Sequence, residues 1–146
     1  MGNIFNDDFR EFIETLNNNK VDYILVGGYS VILHGYPRST GDMDIWVERN
    51  EANHKKLKVA FLLFGLPIMP LNDFMNMDND VFSYGRPPFG IDLMTSCKGL
   101  TFSESIKDAK VVNVEGLNVN LISYQDLLTA KKAAGRYKDL NDLEHL

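Results

Sequence analysis

Apolar side chains recur along this chain with two clear periods, one typical of helices and one of strands. A first helix is predicted after a cap at Asn6 or Asp7, and its inner face holds Phe9, Phe12, Ile13 and Leu16. The polar run 17–19 ends it. A second amphipathic helix is predicted over 51–64, with Asn50 as its cap and Leu57, Ala60, Phe61 and Phe64 facing inward. Both helices should pack on a sheet.

Short runs of β-branched and apolar residues predict the strands. These runs are 21–26, 42–47, 81–84 and 89–94, followed by a hairpin of 111–114 and 117–122 that turns at Glu115-Gly116. Further helices are predicted at 101–109, at 123–134 with Ser123 as its cap and Gly135 as its end, and at 138–146. The segment 65–80 has no clear period and is predicted to be mostly loop, and 85–88 is predicted to be a turn.

The alternation of strands and helices predicts an α/β fold. The length of the chain, 146 residues, favours a single domain over 1–146. This domain is expected to have an α/β core over about 21–122 and a helical tail over about 123–146.

The stretch from Val26 to Val47 combines a pair of glycines with a pair of aspartates. Gly27 and Gly28, the glycine turn, follow a predicted strand and open a short helix predicted over 29–33. Because glycine has no Cβ, the backbone can approach a ligand closely, and the free N–H groups at a helix start favour phosphate. The glycine turn is therefore predicted to bind a phosphate group.

Two carboxylates of the strand 42–47 point the same way. Asp42 and Asp44 are two residues apart, which places them on one face of the strand, and Asp92 lies on another predicted strand. Buried charges without partners are costly, so such a pair indicates a bound cation. Oxygen ligands suit Mg²⁺ or Mn²⁺, and two such ions can promote phosphoryl or nucleotidyl transfer by in-line displacement. We expect Asp42, Asp44 and Asp92 to converge as catalytic metal ligands.

Composition narrows the class of protein. The net charge of −5 provides no global basic field for nucleic acid, although a local basic patch stays possible. No apolar run is long enough to span a bilayer, and the start MGNIFNDDFR does not resemble a signal peptide. The lone Cys97 cannot form an internal disulfide and is expected to be half-buried. A cytoplasmic location and no membrane partner are expected.

The stretch resembles the signature of the DNA polymerase β-like nucleotidyltransferase superfamily, a glycine pair opening a helix followed by D-x-[DE] on the next strand. Its sequence GGYSVILHGYPRSTGDMDIWV is similar to small bacterial nucleotidyltransferases related to the AbiEii and MNT toxin-antitoxin groups. The similarity recurs at 90–93 and in the tail 131–146. The resemblance implies a mixed sheet flanked by helices, Mg²⁺ on Asp42 and Asp44, Asp92 as a third acid that helps deprotonate an acceptor hydroxyl, and NTP phosphates at Gly27, Gly28 and Ser30.

The loop before the aspartate strand also matches related sequences. They carry R-x-T where this chain has Arg38 and Thr40. The guanidinium of Arg38 can clamp a triphosphate with two N–H donors. The alternative is an ion pair with Asp42 or Asp44 that orders the loop. Both interpretations are open at the level of the sequence.

The tail contains basic and acidic residues in close succession. The resemblance places Lys131 at the NTP phosphates, near Arg136 and Lys138, whereas a solvated helix face is the alternative. The acidic residues of the tail, Asp139, Asp142 and Glu144, are expected to cap the last helix and balance its charge.

Together these features predict an enzyme that transfers NMP from an NTP, with ATP expected, to a hydroxyl acceptor. The sequence does not identify the acceptor. Three classes are candidates: a small molecule, a tRNA end or a protein side chain. An alternative is a catalytically inactive, antitoxin-like module that binds a protein partner, although the intact pair Asp42 and Asp44 argues against it. A further alternative is a tRNA-modifying toxin, which needs a local basic surface.

Overall fold

A computed structural model of the chain describes residues 4–78, 80–86 and 89–146. Within these ranges the chain forms six strands and seven helices. The strands are β1 (Tyr23–Val26), β2 (Met43–Val47), β3 (Val81–Arg86), β4 (Phe89–Met94), β5 (Lys110–Val114) and β6 (Leu117–Leu121). The helices are α1 (Asp7–Asn18), α2 (Gly27–Leu33), α3 (Glu51–Phe64), α4 (Leu71–Met75), α5 (Phe102–Asp108), α6 (Tyr124–Ala134) and α7 (Tyr137–His145). None of these helices is long and apolar enough to cross a membrane.

The strands form one mixed sheet in the order β3-β4-β2-β1-β6-β5. β1 is antiparallel to β2 and parallel to β6, and β2 is parallel to β4. The outer strands β3 and β5 are antiparallel to β4 and β6. The predicted fold class, a mixed α/β sheet flanked by helices, is therefore confirmed.

The register of the central strands determines which side chains meet. β1 ends opposite the start of β2, with Val26 beside Asp44, so the glycine turn follows directly at that point. On the other side of β2, Asp44 lies opposite Asp92 of β4. Three central strands thus bring the glycine turn and two acidic residues to the same part of the sheet.

Helices α1 and α3 pack together and supply much of the core. The four apolar residues predicted on the inner face of α1 are all buried, and Asn6 caps the helix by accepting a hydrogen bond from the N–H of Phe9 at 2.8 Å. The rings of Phe12 and Phe61 meet edge to face with centroids 5.5 Å apart. Burial of each large apolar side chain contributes roughly 1.5–3 kcal/mol. The two predicted amphipathic helices are confirmed.

The hairpin and the tail also follow the sequence pattern. Glu115 and Gly116 both have positive φ at the turn between β5 and β6. Ser123 caps α6 by accepting a hydrogen bond from the N–H of Asp126 at 3.1 Å, and Gly135 ends it in the left-handed conformation. The short link then allows α7 to fold back on α6.

Some predicted boundaries were wrong. The segment 65–80 contains α4, which is too short to show a helical period but buries Phe74. The predicted turn 85–88 begins two residues too early because β3 continues through Gly85 to Arg86, and positions 87 and 88 lie outside the described residues. Helix α2 begins at Gly27 rather than at Tyr29, and β1 begins at Tyr23 rather than at Val21.

Candidate functional site

A cleft of about 670 Å³ opens where the glycine turn meets β2 and β4. Every predicted site residue except Ser30 lines this cleft. Its lining consists of Gly27, Gly28, Arg38, Thr40, Gly41, Asp42, Asp44, Val81, Asp92, Met94, Lys131, Arg136 and Lys138. Acidic residues, basic residues and exposed backbone therefore share one concave site.

The glycine turn is packed too closely for any larger residue. Gly27 has φ +71°, and a Cβ there would overlap the carboxylate of Asp44. A Cβ on Gly28 would overlap the hydroxyl of Thr40. The two glycines thus allow the Asp44 carboxylate and the loop before β2 to lie against the backbone of the turn.

Ser30 is directed away from the cleft. Its side chain is completely buried and its hydroxyl donates a hydrogen bond to the carbonyl of Gly27 at 2.6 Å. The hydroxyl thereby stabilises the first turn of α2. The structure does not bring this residue to the place where a phosphate could contact it.

The three acidic residues are held by different partners. Asp42 accepts a hydrogen bond from the N–H of Gly90 at 3.1 Å, which ties the start of β2 to β4. Asp92 accepts one from the hydroxyl of Ser83 on β3 at 2.7 Å. Asp44 lies directly opposite Asp92 in the register of the sheet. Within residues 4–78, 80–86 and 89–146, no three His, Cys, Asp or Glu side chains are arranged as a ready-made metal site.

Asp44 has the most perturbed carboxylate of the cleft. Burial, and next the negative charge of Asp92, raise its pKa from 3.8 to about 7, whereas Lys138 acts in the opposite direction. A second negative charge beside Asp92 is therefore unfavourable unless a cation compensates it. This electrostatic demand is the property expected of a cation-binding pair of carboxylates.

Basic residues of the loop and tail face the acidic ones across the cleft. They are Arg38, which precedes β2, Lys131 on α6, and Arg136 and Lys138 at the start of α7. Lys131 is 6% exposed, and its ammonium lies 3.1 Å from Asp139 and 3.0 Å from Asp142. The ammonium predicted to contact phosphates is thus paired with two carboxylates of the same protein.

These four basic residues form a basic wall of the cleft. Two buried aspartates of α7 hold three of them by ion pairs. Asp139 completes a capping box at Arg136, and the hydrogen bonds from Arg136 and Lys131 lower its pKa although burial alone would raise it. Asp142 pairs with Arg38, whose Nε lies 2.8 Å from Oδ1 of the carboxylate. The ion pair of Arg38 expected as an alternative thus exists, but with Asp142 rather than with Asp42 or Asp44.

A family model described as nucleotidyltransferase of unknown function (DUF6036) matches residues 7–146. The chain belongs to this nucleotidyltransferase family. A search of curated proteins found no significant match.

Solved structures agree with this family at the level of the fold. A candidate nucleotidyltransferase from Thermotoga maritima superposes with a TM-score of 0.66 at 17% identity, covering 94% of this chain and 88% of the other. The antibiotic-resistance factor ANT(2'')-Ia has a TM-score of 0.61 at 12% identity over 92% and 78% of the two chains. An antigenic nucleotidyltransferase-like protein from Paracoccidioides brasiliensis has a TM-score of 0.55 at 17% identity over 92% and 70%. All three share the nucleotidyltransferase fold.

Three residues that support the side chains of the cleft were not predicted from the sequence. Ser83 and Gly90 hold Asp92 and Asp42, but both contacts depend on the pairing of strands that are distant in sequence. Asp142 was expected only to balance the charge of the last helix. The spacing of Asp139 and Asp142 by three residues placed both on one helix face, which was the available signal for a shared basic partner.

Proposed function

We propose that the cleft transfers a nucleoside monophosphate from an NTP, with ATP as the expected substrate, to a hydroxyl acceptor and releases pyrophosphate. The observation that carries this proposal is the convergence of Asp42, Asp44 and Asp92 with the glycine turn and a basic wall in one cleft. Membership of a nucleotidyltransferase family supports the same reaction class. Family membership does not specify the hydroxyl acceptor or the use of a metal ion, and both are part of the proposal.

The chemistry of the acidic side chains suits a divalent cation such as Mg²⁺ or Mn²⁺, although within the described residues the three carboxylates do not form a ready-made three-ligand site. The donors are carboxylate oxygens, and the raised pKa of Asp44 supports this assignment, because burial beside Asp92 disfavours its negative charge more than Lys138 stabilises it. When bound, the cation would neutralise charge on the phosphates and activate the attacking oxygen. Asp42 and Asp44 would hold it, and Asp92 would be the third ligand.

The glycine turn and Arg38 would bind the triphosphate. Gly27 and Gly28 line the cleft, and the guanidinium of Arg38 carries a permanent positive charge beside Gly28. Thr40 presents a hydroxyl at the same point. Lys131 would act on the phosphates through its charge rather than by direct contact, because its ammonium already forms ion pairs with Asp139 and Asp142.

Asp92 would accept the proton of the acceptor hydroxyl. Its carboxylate is oriented by Ser83, whose hydroxyl donates a hydrogen bond to Oδ1 at 2.7 Å. The oxygen of the acceptor would then attack the α-phosphorus as the bond to pyrophosphate breaks. Because one neighbour by fold is an antibiotic-resistance factor, small hydroxylated antibiotics belong among the first acceptors to be tested beside tRNA and protein.

A transfer assay tests the proposal. Protein is incubated with Mg²⁺, an NTP labelled at the α-phosphate and either a cell extract or a panel of the three acceptor classes, and label is followed in the small-molecule, RNA and protein fractions. We expect label in one fraction, equimolar pyrophosphate, and loss of both in Asp42→Asn and Asp44→Asn. Glu144→Gln, which removes a charge from an exposed position of α7, is the matched control. Transfer that survives in both aspartate variants would contradict the proposed site.

A further inference from the structure

The guanidinium of Arg38 is held in one orientation by a residue 104 positions away. Asp142 is 1% exposed, and its carboxylate meets the guanidinium of Arg38 at two points: Oδ2 accepts a hydrogen bond from Nη2 at 3.0 Å, and Oδ1 lies 2.8 Å from Nε as an ion-pair contact. The remaining nitrogen, Nη1, donates to the carbonyl of Ser39 at 3.0 Å. Both terminal nitrogens of the guanidinium thus donate hydrogen bonds to protein oxygens, and Nε lies beside the carboxylate, so the side chain has little rotational freedom.

This orientation places the guanidinium against the glycine turn. Nη1 of Arg38 lies 3.3 Å from the position that a Cβ on Gly28 would occupy, and the side chain is 22% exposed toward the cleft. A flexible arginine would have to lose side-chain entropy on binding an anion at this point. The contact with Asp142 removes that loss before the ligand arrives.

Lys131 completes the arrangement from the other side. Its ammonium lies 3.0 Å from Oδ2 of Asp142, so the buried carboxylate is compensated by two cations. The connected ion pairs contain three cations, Arg38, Lys131 and Arg136, and two carboxylates, Asp139 and Asp142, so the group carries one net positive charge at the cleft. The group therefore attracts an anion, although one of its cations is withdrawn from solvent.

We propose that Asp142 is a positioning residue that fixes Arg38 over the glycine turn for the NTP phosphates, with Lys131 as its counter-ion rather than as a direct substrate contact. This inference rests on the proposed function, because it assigns a role in binding the NTP. It predicts that removing the Asp142 carboxylate weakens NTP binding through Arg38 and through no other residue.

A purely structural role for Asp142 is the competing explanation. However, α7 has anchors that do not involve this carboxylate, because the rings of Tyr36 and His145 stack 4.2 Å apart and the hydroxyl of Tyr124 donates to the main-chain oxygen of Leu146 at 2.6 Å. Substitution of Asp142 therefore leaves the helix attached at its far end, and the two roles can be separated by experiment.

A double-mutant cycle makes this separation. The dissociation constant of ATP with Mg²⁺ is measured by calorimetry for wild type, Arg38→Met, Asp142→Asn and the double variant, and thermal denaturation checks each fold. We expect each single variant to bind about 10-fold more weakly, because a hydrogen-bonded charge is lost, and the double variant to bind no more weakly than Arg38→Met. In the transfer assay, KM for ATP should rise by a similar factor while kcat changes less. Glu144→Gln should match wild type.

The outcomes distinguish the inference from the proposed function. If the two substitutions multiply to a loss of about 100-fold, Asp142 acts independently of Arg38 and the inference is overturned. Unchanged ATP binding in Asp142→Asn overturns it as well. If wild type binds neither ATP nor inorganic tripolyphosphate, the proposed function fails and the inference fails with it. Should Asp142→Asn unfold, Asp142→Glu takes its place, because it keeps the charge but displaces the two-point contact.

Discussion

The carboxylates of Asp44 and Asp92 lie on directly opposed positions of the parallel strands β2 and β4, within the same cleft. This pairing concentrates negative charge where the glycine turn leaves no room for a larger neighbour. The negative charges of Asp44 and Asp92 therefore repel each other, and this electrostatic conflict has consequences for stability, metal binding and catalysis that can be measured.

The first consequence is a dependence of stability on pH. Because the pKa of Asp44 is about 7 in the folded protein against 3.8 when unfolded, its contribution to stability is present below about pH 4 and is lost as pH rises to about 7. Asp44→Asn should therefore stabilise the metal-free protein at pH 8, by at most roughly 4 kcal/mol, and by less at pH 5. Urea denaturation in the presence of EDTA at both pH values checks this. An equal gain at pH 5 and pH 8 would show that Asp44 is not the titrating group.

Divalent cations should relieve the same conflict. A ligand that binds only the folded state adds about 2.7 kcal/mol to the free energy of unfolding at 100 times its Kd. Mg²⁺ or Mn²⁺ should accordingly raise the Tm of the wild type, whereas Asp44→Asn and Asp42→Asn should show little response. Glu144→Gln should respond like wild type, which excludes a general effect of salt on an acidic protein. A Tm that rises equally in all four proteins would argue against a site at these aspartates.

The glycine turn provides a test by steric conflict. Gly27 and Gly116 both have positive φ, but a Cβ would meet the carboxylate of Asp44 at position 27 and nothing within 4 Å at position 116. Gly116→Ala should cost about 1 kcal/mol through backbone strain alone. Gly27→Ala should cost more by about 1–3 kcal/mol and also impair metal binding. Equal losses in urea denaturation would mean that the packing of Asp44 against the turn is not tight.

Cys97 should be chemically inert. Burial, and next the negative charge of Asp126, raise the pKa of its thiol from 9.0 to about 11. The thiolate fraction at pH 8 is then about 100-fold lower than for a cysteine with the ordinary value, so alkylation by iodoacetamide should be slower by about this factor. The same reaction in urea, where the thiol is exposed, is the control. Rapid alkylation of the folded protein would contradict this environment.

Much of the fold and half of the site followed from local patterns. The helices α1 and α3 show a helical period over several turns, and the parity of Asp42 and Asp44 places them together whatever the rest of the fold. Helix α4 was missed because five residues are too few to show a period. The direction of the Ser30 hydroxyl could not be predicted either. A serine near a helix start can donate a hydrogen bond to a ligand or, as here, to a backbone carbonyl.

The remaining half of the site depends on contacts between distant parts of the chain. Asp92 reaches Asp44 only through the parallel register of β2 and β4. Arg38 and Asp142 are neighbours only because α7 folds back over the loop before β2. Periodicity and spacing describe single elements, whereas these contacts arise from how the elements pack. The basic residues were therefore predicted in two separate places, Arg38 in the loop before β2 and Lys131, Arg136 and Lys138 in the tail, without the carboxylates that pair with them.

ATP binding measured by calorimetry tests the central claim most directly, because it requires no knowledge of the acceptor. The account predicts that wild type binds ATP in the presence of Mg²⁺, that EDTA weakens binding by more than about 10-fold, and that Asp44→Asn weakens it similarly while Glu144→Gln does not. Equal affinity of wild type and Asp44→Asn for ATP, with or without Mg²⁺, would contradict the assignment of this cleft as the nucleotide site.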